Sequence, residues 1–348
     1  MFVKEMKGVI LEEHGNLDKL LYKRDLPINV IKEDEIRVQV KFCGLNHLDI
    51  WLRKGGTGDR LSFPRISGSD VVGIVTEIGL NVTNVSKGDT VVLYPGRGCG
   101  ECAACSKGRE TLCRSFEVLG YNNDGGYCEY VQIQGKRAVK ITDDKLEEWA
   151  GVPVAYVTAW NALITKGKMT AKDTVVIWGA SGGLGYAALS IAKAFGARAI
   201  GIVSSEEKIS FLKKKGFDDV EFIVRDSEVG KKIRDLTNKA GADLVLDHVG
   251  SKTFNESLKM LGRGGRLSFC GITTGPIAEV DLRLIFGKQI TITGSWMGDL
   301  RDFHEVIVFL LRTRAYPHID EVFPLEEVKE AQKMLEEGKH IGKIILQI

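Results

Sequence analysis

The stretch Thr174–Gly185, TVVIWGASGGLG, decides how this chain is interpreted. A mostly apolar run, typical of a buried strand, is followed by four glycines within seven positions. A glycine-rich turn between a strand and a helix lets the backbone approach a pyrophosphate, whose charge then meets the free N–H groups of the helix. The alternative is a plain strand-to-helix turn. We predict a dinucleotide-binding loop made of Gly179, Ala180, Ser181, Gly182, Gly183, Leu184 and Gly185.

Downstream of this loop, short apolar runs alternate with helix-length amphipathic stretches. Further strands are predicted at RAIGIV, EFIV, ADLVLDHV, GRLSFCG and QITITGS. Helices are predicted at residues 184–195, 206–215, 227–240 and 252–261. Apolar strands joined by crossover helices form a parallel sheet that is covered on both faces. With TVVIW, the six strands predict a doubly wound α/β domain of the Rossmann type over residues 155–296.

The chain before this domain reads as short β-strands separated by glycines. In EIRVQVKF the apolar residues Ile36, Val38, Val40 and Phe42 alternate with polar ones, the period of a half-buried strand. DVVGIVTEIG, DTVVLY and GYCEYVQI look similar. The tail carries predicted helices at 303–311 and 325–337 and a last strand, GKIILQI. We expect this tail to complete a β-rich first domain, made of residues 1–154 and 297–348.

Composition bounds the function. The 348 residues are enough for about two domains. A net charge of +2 argues against a nucleic-acid binder, which needs a strong basic excess. The uncharged runs at 149–165 and 174–192 approach the length of a membrane helix, but glycines interrupt the second, so we expect no membrane span. The N-terminal stretch MFVKEMKGVI has no apolar signal-peptide core, so we expect a cytoplasmic protein.

Four of the seven cysteines crowd into a lobe at about residues 95–115. Their spacing is C-x2-C-x2-C-x7-C, and in a reducing compartment such a cluster favours a metal over disulfides. An iron–sulfur cluster is the rival, but the ferredoxin run places its fourth cysteine three residues on, before a proline. We predict one closed, structural Zn²⁺ site per chain. Its ligands are Cys99, Cys102, Cys105 and Cys113.

The end of the second Rossmann strand predicts the cofactor. NAD-dependent proteins usually carry an acidic residue there, which binds the ribose 2′-hydroxyl. This chain has Ser204 and Ser205, with Lys208 shortly after, and these groups suit a 2′-phosphate. Glu206 and Glu207 weaken the argument unless they only open a helix. We therefore favour NADP(H) over NAD(H).

These features together resemble the medium-chain dehydrogenase/reductase superfamily, that is, the zinc alcohol dehydrogenases and their quinone reductase relatives. The resemblance is carried by GLNHLDIWLRKG, ISGSDVVGIVTEIG, the cysteine lobe, GASGGLG and the terminal IGKIIL. It spans nearly the whole chain. It implies a GroES-like catalytic domain interrupted by the Rossmann domain.

Three departures from the zinc alcohol dehydrogenases concern the catalytic zinc. Where those enzymes carry a cysteine and a histidine ligand, this chain has Asn46 and Ser69, and VPVAYVTAW supplies neither cysteine nor carboxylate. Asparagine and serine are poor zinc ligands. The run Asn46–Asp49 is instead similar to the Asn-x-x-Asp of zinc-free quinone reductases, which usually lack the cysteine lobe. The resemblance thus implies that the structural zinc is kept and the catalytic zinc is lost.

Without a catalytic metal, the resemblance implies hydride transfer from NADPH to an activated C=C or C=O: a quinone, an enone or an enoyl thioester. Asn46 and Ser69 are the candidate donors to the oxygen that gains charge. Asp49 is an orienting carboxylate that we expect to pair with Arg53, and Asp70 completes the catalytic set. The proton comes from water or from a hydroxyl such as Tyr156 or Thr158. The alternative is that Asn46, Ser69 and Asp70 only shape turns.

The resemblance also implies the remaining cofactor contacts. His47, Thr158, His248, Gly271 and Lys343 join the loop residues and the Ser204, Ser205 and Lys208 group. The alternative interpretation of His47 is a histidine of the hydrophobic core that does not contact the cofactor. Trp51, Tyr94 and Trp296 either line an apolar substrate pocket or belong to the core.

Two rival functions stay open at this point. One is an alcohol dehydrogenase with an unorthodox metal site at His47, Asp49 and Asp70. The other is a non-catalytic NADPH-binding protein. The sequence does not separate a quinone from a thioester, although a basic group at Arg53, Lys54, Arg60 and Arg65 would suit coenzyme A unless it is only solvated surface.

The expected partners are a small-molecule substrate and further copies of the chain. The apolar strand QITITGS ends the Rossmann domain and is predicted at a sheet edge, where it can pair with another chain. Relatives join such edges across a two-fold axis, so we expect a homodimer or homotetramer.

Overall fold

The computed structural model describes residues 5–55, 58 and 61–348, so Arg60 and the first four residues of the N-terminal stretch lie outside it. The chain forms two compact units. The first unit contains the chain up to Val154 with residues 299–305 and 316–348. The second unit contains residues 155–298 and 306–315.

The first unit is built on a seven-stranded sheet in the order β10-β6-β5-β3-β18-β17, with β9 also paired to β3. In β3 the side chains of Ile36, Val38 and Val40 are buried, as the alternation predicted. All pairings are antiparallel except β17 with β18. The strands are β3 (Glu35–Gly44), β5 (Asp70–Ile78), β6 (Thr90–Leu93), β9 (Tyr130–Gln134), β10 (Ala138–Lys140), β17 (Ile319–Pro324) and β18 (Lys343–Gln347).

Two smaller sheets and three helices complete this unit. The first small sheet has the order β2-β1-β4 and the second pairs β7 with β8. Their strands are β1 (Glu5–Leu11), β2 (Leu20–Pro27), β4 (Arg65–Ile66), β7 (Gly96–Arg97) and β8 (Glu117–Val118). The helices are α1 (His47–Lys54), α2 (Leu146–Trp149) and α10 (Val328–Glu337).

The second unit is a six-stranded parallel sheet in the order β13-β12-β11-β14-β15-β16. The order reverses beside β11, the switch point at which doubly wound folds bind ligands. The predicted Rossmann fold is thereby confirmed. Its strands are β11 (Thr174–Ile177), β12 (Arg198–Val203), β13 (Glu221–Val224), β14 (Ala242–Asp247), β15 (Leu261–Phe269) and β16 (Thr291–Gly294).

Helices α4 (Gly183–Ala194), α5 (Glu206–Leu212), α6 (Val229–Leu236), α7 (Phe254–Met260) and α8 (Leu282–Lys288) connect these strands. Helix α3 (Pro153–Trp160) leads into the unit and α9 (Leu300–Thr313) follows it. The core between sheet and helices is apolar and fully buried, with Val176, Ile200 and Val245 at its centre.

The tail differs from the sequence-based expectation in two respects. Strand β17 was not predicted, because IDEVFP has too short and too polar a pattern to stand out. Residues 306–315 belong to the second unit, although we expected them in the first domain. The reason is local packing: the Phe309 ring contacts the Trp160 ring at a centroid distance of 5.5 Å.

The two uncharged runs form short elements of the two units. The first becomes α2, α3 and a π-helical turn, and the second becomes β11, the glycine loop and α4. Within the described part of the chain, no helix has both the length and the apolar character needed to span a bilayer.

Candidate active site

The glycine loop after β11 has the geometry of a phosphate cradle. Gly179 has φ +56°, which a side chain would strain, and a Cβ at Gly185 would lie 2.2 Å from the Gly179 carbonyl oxygen. Gly182 precedes α4, and the Tyr186 N–H is the first to bond back, at 2.8 Å to the Gly182 carbonyl. The first amides of α4 are therefore free to bind an anion. These residues fit the pyrophosphate of a dinucleotide.

A buried network of polar side chains, centred on Asp247 at the end of β14, lies beside the glycine loop. The Asp247 carboxylate accepts hydrogen bonds from Thr253, Ser257 and two backbone N–H groups. Ser257 in turn accepts from the Trp178 indole N–H at 2.8 Å. The network fixes the ends of β11 and β14 beside the loop.

His248 and Gly271 lie next to this network. The His248 ring packs against Gly179, and its Nε2 lies 2.7 Å from the Trp178 carbonyl oxygen, so this N–H donates to the backbone. Partial burial lowers the pKa of His248 and favours the neutral ring. Gly271 packs on the His248 carbonyl. Thr158, the other predicted contact in this unit, is buried within α3.

The end of β12 presents the residues predicted to choose the cofactor. Ser204 is exposed and Ser205 precedes α5, while Lys208 lies one turn into that helix. The Ser205 hydroxyl donates to the Glu207 carboxylate and lowers the pKa of that group. Glu207 is thus already engaged at the helix start.

Sequence reasoning missed one residue beside this group, Arg225. It directly follows β13, and its backbone N–H donates to the Val203 carbonyl at 2.8 Å, so it lies opposite Ser204. Its side chain is exposed. The available signal was its position: a cation immediately after the strand that neighbours β12 in a parallel sheet.

In the first unit, α1 directly follows Asn46, which the resemblance places where zinc alcohol dehydrogenases carry a cysteine ligand. Asn46 is the N-cap, and its backbone N–H donates to the Asp49 carboxylate at 2.7 Å. Asp49 is fully buried and also accepts from Ser67 Oγ at 2.5 Å and from the Gly68 N–H at 3.2 Å. Burial raises the pKa of this carboxyl. Asp49 therefore orders the turn, and the expected pairing with Arg53 is wrong.

Lys343 forms the most constrained contact of this site. Its ammonium donates to the Leu45 carbonyl at 2.6 Å, to Asn46 Oδ1 at 2.8 Å and to Asp70 Oδ2 at 2.8 Å. Asp70 also accepts from the Val154 N–H at 2.7 Å. Because an ammonium has three N–H bonds and all are used, Lys343 has none left for a cofactor. The cofactor contact predicted for Lys343 would need one of these three bonds to be exchanged, and it stays a prediction.

The two predicted donors, Ser69 and Asn46, differ in whether their side-chain hydrogens are already bonded to a protein acceptor. The Ser69 hydroxyl is fully buried and donates to the Leu119 carbonyl at 2.6 Å, so its hydrogen is not available to an acceptor. Asn46 Nδ2 is buried and has no hydrogen-bond partner within residues 5–55, 58 and 61–348. Since Lys343 can only donate, the Asn46 oxygen must face it and the N–H group must face away.

Three other expectations are corrected by burial. The Tyr156 hydroxyl donates to the Ala315 carbonyl at 2.6 Å, so it is not a proton source. Tyr94 is fully buried, whereas Trp296 is largely exposed, so neither is a simple pocket wall. His47 is exposed at the start of α1, which excludes the core alternative.

The basic group proposed for coenzyme A is internally neutralised where the structure describes it. Arg53 is buried and donates to Gln332 Oε1 and Glu336 Oε1. Lys54 pairs with the same Glu336. Arg65 is nearly buried and bonds Ser62. These residues do not form a basic entrance.

The cysteine lobe brings its four thiols together. The Sγ atoms of Cys99, Cys102, Cys105 and Cys113 all lie within 4.8 Å of one another. A tetrahedral Zn–S₄ centre needs sulfur separations of about 3.8 Å, so the four residues fit a zinc ion. Backbone N–H groups of Cys105 and Ala104 lower the pKa of the Cys102 thiol, whereas desolvation and the neighbouring thiols raise the pKa of Cys105, so the fit to zinc rests on the sulfur positions.

The rival metal site does not assemble. Across the described residues, the cysteine cluster is the only group of three or more His, Cys, Asp or Glu side chains with converging ligand atoms. The carboxylates of Asp49 and Asp70 are occupied as described above, and Asp70 is neutralised by a buried ammonium. His47, Asp49 and Asp70 therefore do not fit a catalytic metal.

Comparisons with known proteins cover both units. Two protein-family models match this sequence. The family described as alcohol dehydrogenase GroES-like domain matches residues 32–143, and the family described as zinc-binding dehydrogenase matches residues 183–312. An alcohol dehydrogenase from Geobacillus stearothermophilus is 32% identical over 347 residues, 99% of each chain. An acryloyl-coenzyme A reductase from Sulfurisphaera tokodaii is 32% identical over 319 residues, 90% of this chain and 92% of its own length.

A solved structure extends this likeness to the fold. The crystal structure of an NAD-dependent alcohol dehydrogenase matches with a TM-score of 0.92 and 33% identity. The match covers 99% of this chain and 100% of the other.

Proposed function

Because the chain belongs to the medium-chain dehydrogenase/reductase family of zinc-type alcohol dehydrogenases, we propose that it is an NADP(H)-dependent reductase of activated double bonds. It transfers a hydride to an activated C=C or C=O acceptor, namely a quinone, an enone or an enoyl thioester, without a catalytic zinc. One observation carries this proposal: Asn46 stands at the family's cysteine-ligand position with a buried N–H that lacks a partner among the described residues.

The chain's own residues divide the work as follows. A bound nicotinamide supplies the hydride. As negative charge develops on the conjugated oxygen of the acceptor, the Asn46 side-chain N–H donates to that oxygen. Asp49 and Asp70 act as positioning residues, since the first fixes the start of α1 and the second anchors Lys343. Ser69 positions the neighbouring loop through Leu119. Water supplies the proton.

The donor set argues against a catalytic zinc at this site. Asn46 Oδ1 is occupied by Lys343, and the Ser69 hydroxyl is committed to a backbone carbonyl. An alcohol substrate would therefore lack the Lewis acid that lowers its pKa.

NADP(H) is favoured over NAD(H) by four residues around the end of β12. Ser204 and Ser205 offer hydroxyls, and Lys208 and Arg225 offer positive charge for a 2′-phosphate. No carboxylate follows β12 directly, where an acid would select the 2′-hydroxyl. The glycine loop is proposed to hold the pyrophosphate, with Thr158, His248 and Gly271 on the nicotinamide side, and His47 is proposed as a separate cofactor contact.

The named relatives include an acryloyl-coenzyme A reductase, which supports a thioester acceptor. The neutralised arginines provide no basic entrance for coenzyme A among the described residues. The panel of acceptors in the test below therefore contains thioesters and uncharged compounds alike.

The test is stopped-flow mixing of the purified protein and NADPH with a panel of quinones, enones and enoyl-coenzyme A thioesters, together with zinc analysis. We expect NADPH oxidation with at least one acceptor class, slow alcohol oxidation and one Zn²⁺ per chain. Two Zn²⁺ per chain with fast alcohol oxidation would instead establish the alcohol dehydrogenase, an alternative that the named relatives also favour. Tight NADPH binding with no oxidation of NADPH by any acceptor would show that the protein is a non-catalytic NADPH-binding protein.

We further propose that the protein assembles with copies of itself through the second unit. Strand β16 is an edge of the parallel sheet, and the segments before and after it in the chain carry four apolar residues that are each more than half exposed: Ile277, Leu282, Phe286 and Trp296. A homodimer or homotetramer would cover this surface.

A cytoplasmic location is proposed from the cysteine usage, since a reducing compartment keeps the zinc-lobe thiols available.

A further inference from the structure

We propose that Lys343 is a positioning residue for Asn46. Its ammonium fixes the carboxamide so that Nδ2 presents its N–H to the acceptor, and its charge makes that N–H a stronger donor. The inference rests on the function proposed for Asn46 and deepens it.

The geometry leaves Lys343 one arrangement. Its three N–H bonds are used by three acceptors at 2.6–2.8 Å, and the side chain is only 4% exposed. One acceptor is the backbone carbonyl of Leu45, immediately before Asn46. The ammonium therefore holds both the backbone and the side chain at the start of α1.

The charge of Lys343 polarises the Asn46 side-chain amide through the hydrogen bond to Asn46 Oδ1. An amide whose oxygen accepts from a cation has its nitrogen made more positive, and hydrogen bonds in a chain strengthen one another in this way. Asp70 neutralises the ammonium from the opposite side through Oδ2, and Asp49 lies on α1 and bonds the backbone of Asn46. Neither carboxylate bonds the Asn46 side chain, so Lys343 is the charged group that bonds it.

A purely structural role is the competing explanation. Lys343 begins β18 and bonds residues next to β3 and β5, so it could serve only to join strands. That role predicts a loss of stability when Lys343 is replaced, without a specific effect on the Asn46 amide or on catalysis.

Two variants and a control separate these explanations. Lys343→Met removes the ammonium but leaves Asp70 buried without its cation, which can prevent folding. The double variant Lys343→Met/Asp70→Asn removes both charges and keeps an acceptor for the Val154 N–H. Lys140→Met is the matched control, because Lys140 pairs with Asp89 on the surface of the same unit.

The first measurement does not require an acceptor. Protein labelled with ¹⁵N-asparagine is observed by NMR with NADPH present, and the Asn46 side-chain amide is identified by its loss in Asn46→Ala. We expect the chemical shift of this amide to change in the double Lys343/Asp70 variant and to be unchanged in Lys140→Met. An unmoved signal in the Lys343 variants would overturn the proposal.

The second measurement is a double-mutant cycle on whichever acceptor the wild type reduces. We expect the Lys343/Asp70 variant to lower kcat about 10- to 100-fold, with the KM for the acceptor and the Kd for NADPH changed less than about twofold. In an Asn46→Ala background the same change should cost less than about twofold, because Lys343 acts through Asn46. Equal losses in both backgrounds, or a large rise in the Kd for NADPH, would contradict the proposal. If the wild type reduces no acceptor, the proposed function fails while the NMR result still decides the role of Lys343.

Discussion

At the scale of single residues, the site in the first unit depends on how one carboxamide is held. The Asn46 backbone N–H bonds Asp49, and the Asn46 side-chain oxygen accepts from Lys343. Both partners are buried, and their remaining hydrogen-bonding positions are filled by protein groups. The amide N–H is therefore oriented before an acceptor binds, which is the condition under which a donor lowers a barrier most.

Replacing this donor should slow the chemical step more than it weakens binding. We expect Asn46→Ala to lower kcat about 100-fold for the preferred acceptor, because one preorganised donor to a developing oxyanion contributes that much. The Kd for NADPH, measured by fluorescence, should stay within about twofold. Asn81→Ala, an amide on the surface of the same unit, is the control. A kcat for Asn46→Ala close to that of the wild type would exclude Asn46 as the donor.

Arg225 makes a second residue-scale prediction, on cofactor choice. Its backbone lies opposite Ser204 at the end of the sheet where the glycine loop lies, and its side chain is exposed. We expect Arg225→Ala to raise the Kd for NADPH about tenfold, since an exposed cation on a phosphate gives a modest, salt-dependent contribution. The Kd for NADH should not change. Lys172→Ala, a cation before β11 at the opposite end of the sheet, should affect neither; equal losses for both cofactors in Arg225→Ala would refute the assignment.

At the scale of elements, the cysteine lobe has little core of its own. Its regular structure is two single 3₁₀ turns and the short strands β7 and β8. Backbone N–H groups of Cys99, Cys102 and Ser115 donate to cysteine sulfurs at 3.4 Å, which orients the thiols inward. A further anchor is Asp299, which accepts from the Thr111 N–H and hydroxyl at 2.8 Å. We therefore expect the order of this lobe to depend on a bound metal.

Loss of the metal should therefore unfold the lobe. We expect Cys102→Ser to bind less than one Zn²⁺ per chain and to melt at least about 5 °C below the wild type. The remaining lobe thiols should react rapidly with a thiol reagent, whereas they are protected in the zinc-loaded wild type. Cys270→Ser removes a cysteine outside the lobe and should keep one zinc. Full zinc content with unchanged melting in Cys102→Ser would show that the lobe does not depend on a four-thiolate site.

Elements with local signals could be predicted from the sequence, whereas partners from distant segments could not. The glycine loop is contiguous, and the alternation in β3 and the run TVVIW identify their strands directly. The roles of Ser69 and Lys343 depend on Leu119 and Asp70, which are 50 and 273 residues away along the chain. No periodicity records such contacts. The same limit explains why the sequence alone does not reveal that Arg53 and Arg65 are bonded inside the first unit.

At the scale of the whole molecule, several large apolar side chains of the second unit are strongly exposed. Ile277 and Phe286, which precede the edge strand β16 in the chain, are 82% and 73% exposed, and Trp296, which follows it, is 63% exposed. An uncovered edge strand with apolar neighbours can pair with another chain. Placing a charge in this surface should oppose association, because the charge would lose its hydration in the interface.

We expect the wild type to sediment as a dimer or tetramer and Phe286→Asp to shift it towards smaller species at the same concentration. The second unit should keep its fold, since the Phe286 side chain faces outward, so the Kd for NADPH should change less than about twofold. Val30→Asp introduces the same charge at an isolated exposed valine of the first unit and should leave the mass unchanged. A monomeric wild type, or a Phe286→Asp variant with the wild-type mass, would show that this surface does not join two chains. Dissociation together with loss of acceptor reduction would mean that the partner chain supports the active site.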